Sequence, residues 1–166
     1  MVADLQNPAD VPHHWQKVVT GGQTGVDQAA WQAAWQAGLE IGGWVPLGRR
    51  CEAGVIPAHF GGQQTPTADY AQRTDWNVRD SDATLILCQG QATGGTLYTQ
   101  QRADHYGKPW ILIDPFANTA AAQVQVCLQQ WSGRVLNVAG PRASEDPNIA
   151  QAVLHLFQQL WDSKPG

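Results

Sequence analysis

Short apolar runs alternate with longer helical stretches along most of this chain, and that alternation narrows the fold more than any other feature. "KVVTG", "ATLILCQ", "PWILID" and "RVLNVAG" read as buried strands, and "EIGGWVP" as a shorter one. Between them "VDQAAWQAAWQAG", "TADYAQRTDWNVRDS", "LYTQQRADHYG", "TAAAQVQVCLQQWS" and "PNIAQAVLHLFQQLW" read as helices. Gly38 closes the first of these and Thr67 is a candidate cap for the second. Strands parted by helices of this length imply an α/β fold, doubly wound, with a mostly parallel sheet and helices on both faces. The 166 residues suit a single domain. We expect residues 1–14 to form a flexible arm, 15–162 the ligand-binding domain, and 163–166 a tail.

Right-handed crossovers place every loop that follows a strand along one edge of such a sheet. Ligands settle there, at the point where the strand order reverses. The first of these loops is unusually rich in glycine and threonine: Thr20, Gly21, Gly22, Gln23, Thr24 and Gly25 lead directly into a helix. A helix start offers unpaired N–H groups and partial positive charge, and glycine clears a path to them. The competing reading is a plain cap, with Thr24 answered by Asp27. Thr93, Gly94, Gly95 and Thr96 repeat the device after a second strand. Neither loop carries the Gly-Lys-Ser/Thr ending of a phosphate-binding loop, or the glycine spacing of a dinucleotide site.

Other residues at strand ends extend the candidate site. Asn137, Gly140 and Arg142 follow the last strand, and Arg49 with Arg50 puts two cations after the second. Asn77, Ser81 and Asp82 lie in a polar stretch that either binds a heterocycle edge or simply ends a helix. Trp31 and Trp35, four apart, share a helix face and suit either core packing or stacking on a flat ring.

Composition excludes several classes. A formal charge of −4 argues against a nucleic-acid partner. No apolar run is long enough to span a membrane, and the polar start has no leader-like core, so we expect a cytoplasmic protein. Cys51, Cys88 and Cys127 are odd in number and widely spaced, which suits neither a disulfide framework nor a zinc motif. No nucleophile–base motif stands out, so no residue is expected to be catalytic and none to ligate a resident metal.

Six stretches carry a resemblance: "TGGQTGVDQAA", "GGWVPLGRRCEAGVIP", "TPTADYAQRTDWNVRDSDATLIL", "TGGT", "GKPWILID" and "LNVAGPRASEDPNI". Together they resemble the molybdenum-cofactor carrier family, a branch of the Rossmann-like superfamily that includes the LOG phosphoribohydrolases and DprA-like proteins. The resemblance implies binding, storage and transfer of the molybdenum cofactor, or of molybdate or another anion in its absence. It also implies molybdoenzyme recipients and a homo-oligomer, with a tetramer favoured. The hydrolases resemble a Pro-Gly-Gly-x-Gly-Thr-x-x-Glu pattern with a catalytic glutamate; here Thr99 stands where that glutamate is expected. A nucleotide hydrolase or a nucleotide sensor is the alternative. On this reading Gly22→Asp should harm ligand binding far more than folding.

Overall fold

The computed structural model describes residues 14–161, so the expected arm (apart from His14) and tail lie outside the described residues. In chain order the elements are β1 (Lys17–Val19), α1 (Val26–Gln36), β2 (Glu40–Gly42), β3 (Trp44–Val45), β4 (Arg50–Cys51) and β5 (Gly54–Val55). A single 3-10 turn (Ala58–Phe60) and β6 (Gln63–Gln64) lead to α2 (Tyr70–Arg79). Then come β7 (Ala83–Leu87), α3 (Gly94–Tyr106), β8 (Trp110–Ile113), α4 (Ala120–Gln130), β9 (Val135–Ala139) and α5 (Ile149–Trp161).

The main sheet has the order β2-β1-β9-β7-β8, and every neighbouring pair is parallel. Val18 aligns with Ile41 on one side and Leu136 on the other; Leu85 aligns with Ile111 and Val138. All five residues of β7 are buried, as a parallel strand covered on both faces requires. The chain steps outward in one direction from β1 to β2 through α1, and in the other from β7 to β8 through α3. Right-handed crossovers therefore put α1 and α3 on opposite faces. Accordingly α5 packs on α1 and α4, while α2 packs on α3. The central strand β9 marks the reversal, and the loops after β1, β7 and β9 meet at its carboxyl end.

Helix α5 buries Ile149, Val153, Leu156, Phe157 and Leu160, a helical stripe joined to Val26, Ala30 and Ala34 of α1 in the main core. A smaller cluster gathers Trp31, Val45, Cys51, Ile56 and Phe60. Trp31 is fully buried and donates from Nε1 to the Gly42 carbonyl at 2.8 Å, whereas Trp35 is 67% exposed. Sharing a helix face did not give the two tryptophans one environment.

Two local expectations need correction. "EIGGWVP" is not one strand: Gly43, at φ 119°, sends the chain from β2 into β3, which pairs with β6 in a separate ladder. The helix cap of α2 is Asp69, whose carboxylate accepts from the Ala71 amide at 2.9 Å; Thr67 bonds the Gln72 side chain instead. No described helix is long and apolar enough to cross a membrane.

Candidate functional site

A crevice of about 250 Å³ opens at the carboxyl edge, where the start of α1, the first turns of α2 and α3, and the segment after β9 converge. Gln23, Asp27, Tyr70, Arg73, Thr96 and Arg142 are among its walls. A second hollow of about 140 Å³ adjoins it across Thr96, Pro141 and Glu145, and reaches Cys88 and Thr93.

Asp27 is the most buried charge in this crevice, only 3% exposed. Its Oδ2 accepts from the Gln23 amide at 3.1 Å, and the Gly21 amide bonds the same carboxylate. Arg73 Nη1 lies 3.5 Å from Oδ2. Burial pushes the Asp27 carboxyl up to about 6, and it outweighs the Arg73 charge and the two amides, which pull it down. Two buried side-chain polar atoms of residues that line the crevice have no partner among the described residues: Arg73 Nε and Gln23 Oε1. Gln23 is 2% exposed, and its Nε2 is spent on the Arg50 carbonyl at 3.0 Å. A buried polar atom left without a partner is costly.

The glycines of the first turn serve the protein's own packing. A Cβ on Gly21 would collide with the Arg73 guanidinium. On Gly22 it would lie 2.7 Å from Ile56 Cδ1, and on Gly25 2.5 Å from the Pro141 carbonyl. The Gly22 amide donates to Thr20 Oγ1 at 3.1 Å, and the Val26 amide to the Pro141 carbonyl at 3.3 Å. Of the amides expected to lie bare, those of Gly21, Gly22 and Gln23 are thus taken from within by Asp27 and Thr20, and Pro141 takes that of Val26. Nor does Thr24 cap the helix. Gly25 holds that position, and Thr24 Oγ1 donates to Glu52 while accepting from the Ala143 amide at 3.2 Å.

The second turn differs. A Cβ on Gly94 or Gly95 would meet nothing within 4 Å, and neither amide bonds another described residue. Thr93 sits at the cap position of α3 without a side-chain cap bond. Thr99 Oγ1 donates back to the Gly95 carbonyl at 3.0 Å, and its side chain lines the crevice. The positive end of a 13-residue helix therefore faces the crevice unoccupied by protein groups.

The remaining sequence-predicted residues divide. Gly140 and Arg142 line the crevice, with Arg142 paired to Glu145 at 3.1 Å on the rim. Arg49, at φ 55°, turns its guanidinium onto the carbonyls of Ile56, Pro57 and Gly61 and closes its own loop. Asn77 clasps the Trp44 backbone through both amide atoms, at 2.8 and 2.9 Å. Ser81 bonds the Val78 carbonyl, and Asp82 receives the amides of Arg134 and Val135 at 2.8 and 2.9 Å. Those two amides hold the Asp82 carboxyl below its ordinary range. Ser81 and Asp82 precede β7, so they stand at the amino edge of the sheet, away from the crevice. Asn137 is buried within β9 and donates to Thr84 Oγ1 at 3.3 Å.

The crevice thus gathers Gln23, Gly95, Thr96, Gly140 and Arg142, with Thr93 and Gly94 beside them; Thr20, Gly21, Gly22, Thr24, Gly25, Arg49, Asn77, Ser81, Asp82 and Asn137 are not among its walls. Sequence reasoning missed Tyr70, Arg73 and Thr74. The signal was present: Tyr70, Arg73, Thr74 and Asn77 stand at helical spacing, a polar stripe on the side of α2 that faces inward.

Residues 18–161 match the family described as circularly permutated YpsA SLOG. The crystal structure of a protein from Syntrophus aciditrophicus SB, provisionally named a molybdenum carrier protein, superposes with a TM-score of 0.85. It is 41% identical over 89% of this chain and 95% of its own. No curated protein matches the chain.

Proposed function

Because the chain belongs to the circularly permutated YpsA SLOG family, we propose that its crevice holds a small molecule bearing an oxyanion, and that this guest is the molybdenum cofactor. The protein stores, shields and passes on the cofactor without chemical turnover. The observation that carries this reading is the start of α3, whose Gly94 and Gly95 amides meet no protein group and which shares the crevice with Arg73. A phosphate or oxo group suits Arg73 and the Gly94–Gly95 amides. The adjoining hollow leaves room for a flat ring system, since small-molecule sites usually occupy roughly 300–1,000 Å³. The name of the 41%-identical neighbour agrees with this ligand.

In this reading the protein is cytoplasmic, forms a homo-oligomer with a tetramer favoured, and serves molybdoenzyme recipients. Gel filtration after incubation with isolated cofactor tests the central claim. Molybdenum and pterin absorbance should travel with the protein; their complete separation sinks it. Light scattering on the same column reads the assembly state.

One observation supports a second reading. A buried carboxylate poised near neutral, as Asp27 is, suits general acid–base work on an N-glycosidic bond. Thr99 in place of the hydrolases' glutamate, and the occupation of Asp27 by its own turn, weigh against it. Release of free base from nucleoside monophosphates, abolished in Asp27→Asn, would establish it.

A further inference from the structure

We propose that Asp27 is a resident anion that an incoming oxyanion displaces from Arg73, so that loading the crevice takes up a proton at Asp27 and loss of that proton favours release. The inference rests on the crevice being an oxyanion site, as proposed above, but not on which oxyanion-bearing molecule fills it.

The geometry sets up a competition. Arg73 lies across bare Gly21, walled in by α2 and the first turn, with Nη1 3.5 Å from Asp27 Oδ2. No hydrogen bond joins the two side chains at that separation, and Arg73 Nε has no partner among the described residues. The guanidinium therefore has donors to spare, held close to a carboxylate that does not saturate them. A second negative group at the same guanidinium would face the Asp27 charge in a poorly hydrated crevice, where repulsion is strong. Protonation removes that repulsion. The neutral carboxyl can still accept from the Gln23 amide through Oδ2, and it gains an O–H donor.

No other titratable group at the site can play this part. From α2 come Arg73 and Tyr70; from the segment after β9 come Arg142 and Glu145, which pair with each other on the half-exposed rim. The first turn of α3 contributes only Gly95, Thr96 and Thr99 to the walls. Glu52 of the β4–β5 hairpin is held by Thr24 and Ser144 and is exposed to solvent. Among the described residues, Asp27 alone is both buried and beside the guanidinium.

The empty site has its carboxyl at about 6. A bound oxyanion raises it further, so affinity should improve as pH falls, by about tenfold per pH unit between the two values, and level off below about 6. Sulfate, which keeps its charge between about pH 5 and pH 9, is the probe. Calorimetric titration in two buffers of different ionisation heat should show about half a proton taken up per sulfate bound near pH 6.5, for a rise of about one unit in the Asp27 carboxyl. Asp27→Asn should bind sulfate about tenfold more tightly than wild type at pH 8, with no proton uptake; Arg73→Gln should lose binding. A wild-type affinity that ignores pH, or an Asn variant that keeps the wild-type slope, overturns the proposal. If Asp27→Asn does not fold, carbon-13 titration of the wild-type Asp27 carboxyl decides. Its midpoint should rise by about one unit or more when sulfate saturates the protein, and an unmoved midpoint overturns the idea. Absence of sulfate binding at pH 6 overturns it as well. Proton-linked sulfate binding without cofactor binding would sink only the carrier reading.

Discussion

The two glycine turns look alike as sequence and differ as structure. At Thr20–Gly25 the space left by absent side chains is taken by Arg73, by Ile56 and by the Pro141–Ala143 backbone, and the Gly22 and Gln23 amides are bonded internally. At Thr93–Thr96 the same residue types leave open space, and the Gly94 and Gly95 amides are free. A glycine reports only that something must come close. Whether that something is a guest or the protein itself depends on what the rest of the chain brings to the spot. The closed turn still serves the site, because its occupant is a carboxylate that draws Arg73 to the crevice wall.

The sharpest way to break this contrast is Gly22→Asp. The new side chain would start 2.7 Å from Ile56 and about as close to Trp31 and Val45, on a backbone at φ 77°, and would carry a charge into the smaller apolar cluster. We expect a loss of stability of about 3 kcal/mol or more, read by urea denaturation. This departs from the expectation from sequence that binding would suffer far more than folding. A variant as stable as wild type would show that the first turn is open after all.

Asp27→Asn comes next. Burial raises the Asp27 carboxyl from 3.8 to about 6, so the folded protein keeps a proton that the unfolded chain has released. That contribution to stability is fully present below about pH 4 and is lost as pH rises through about 6. Asparagine does not titrate. Relative to wild type, Asp27→Asn should therefore gain about 1–3 kcal/mol between pH 4 and pH 7.5, measured as the difference between their denaturation profiles. A constant difference would mean that Asp27 is not strained by its burial.

The fold was legible because parallel strands buried on both faces must be almost wholly apolar, and "ATLIL" or "VLNVA" leaves little choice. The position of the crevice followed from topology alone. What the sequence hid was orientation. Asn77, Ser81 and Asp82 share one helix and its exit, but α2 runs from the carboxyl edge of the sheet to the amino edge. Its start, with Tyr70 and Arg73, reaches the crevice, while its end holds the backbone before β7 and β9. Arg49 and Arg50 read as paired cations, yet Arg49 is consumed by three carbonyls of a loop whose hairpin had no periodic signal. Short strands of two residues, such as β4 and β5, leave too little pattern to detect.

The open turn should respond gently to substitution, and the smaller effects discriminate best. Gly95 lies in the first turn of α3 with room for a methyl group. Gly95→Ala should leave the fold unharmed or stabilise it by up to about 1 kcal/mol, since alanine loses less backbone freedom, while sulfate binding falls severalfold. A destabilised variant would mean that this turn, too, is filled from within. The smallest effect is expected at Thr93. A threonine that caps a helix costs about 1 kcal/mol when cut to alanine. Thr93 makes no side-chain cap bond, so Thr93→Ala should change the melting free energy by less than about 0.5 kcal/mol. Its hydroxyl borders the adjoining hollow, so retained stability with weakened retention of the cofactor on gel filtration would assign the group to the guest. A full capping penalty would instead make the second turn a structural device like the first, and the difference between them would vanish.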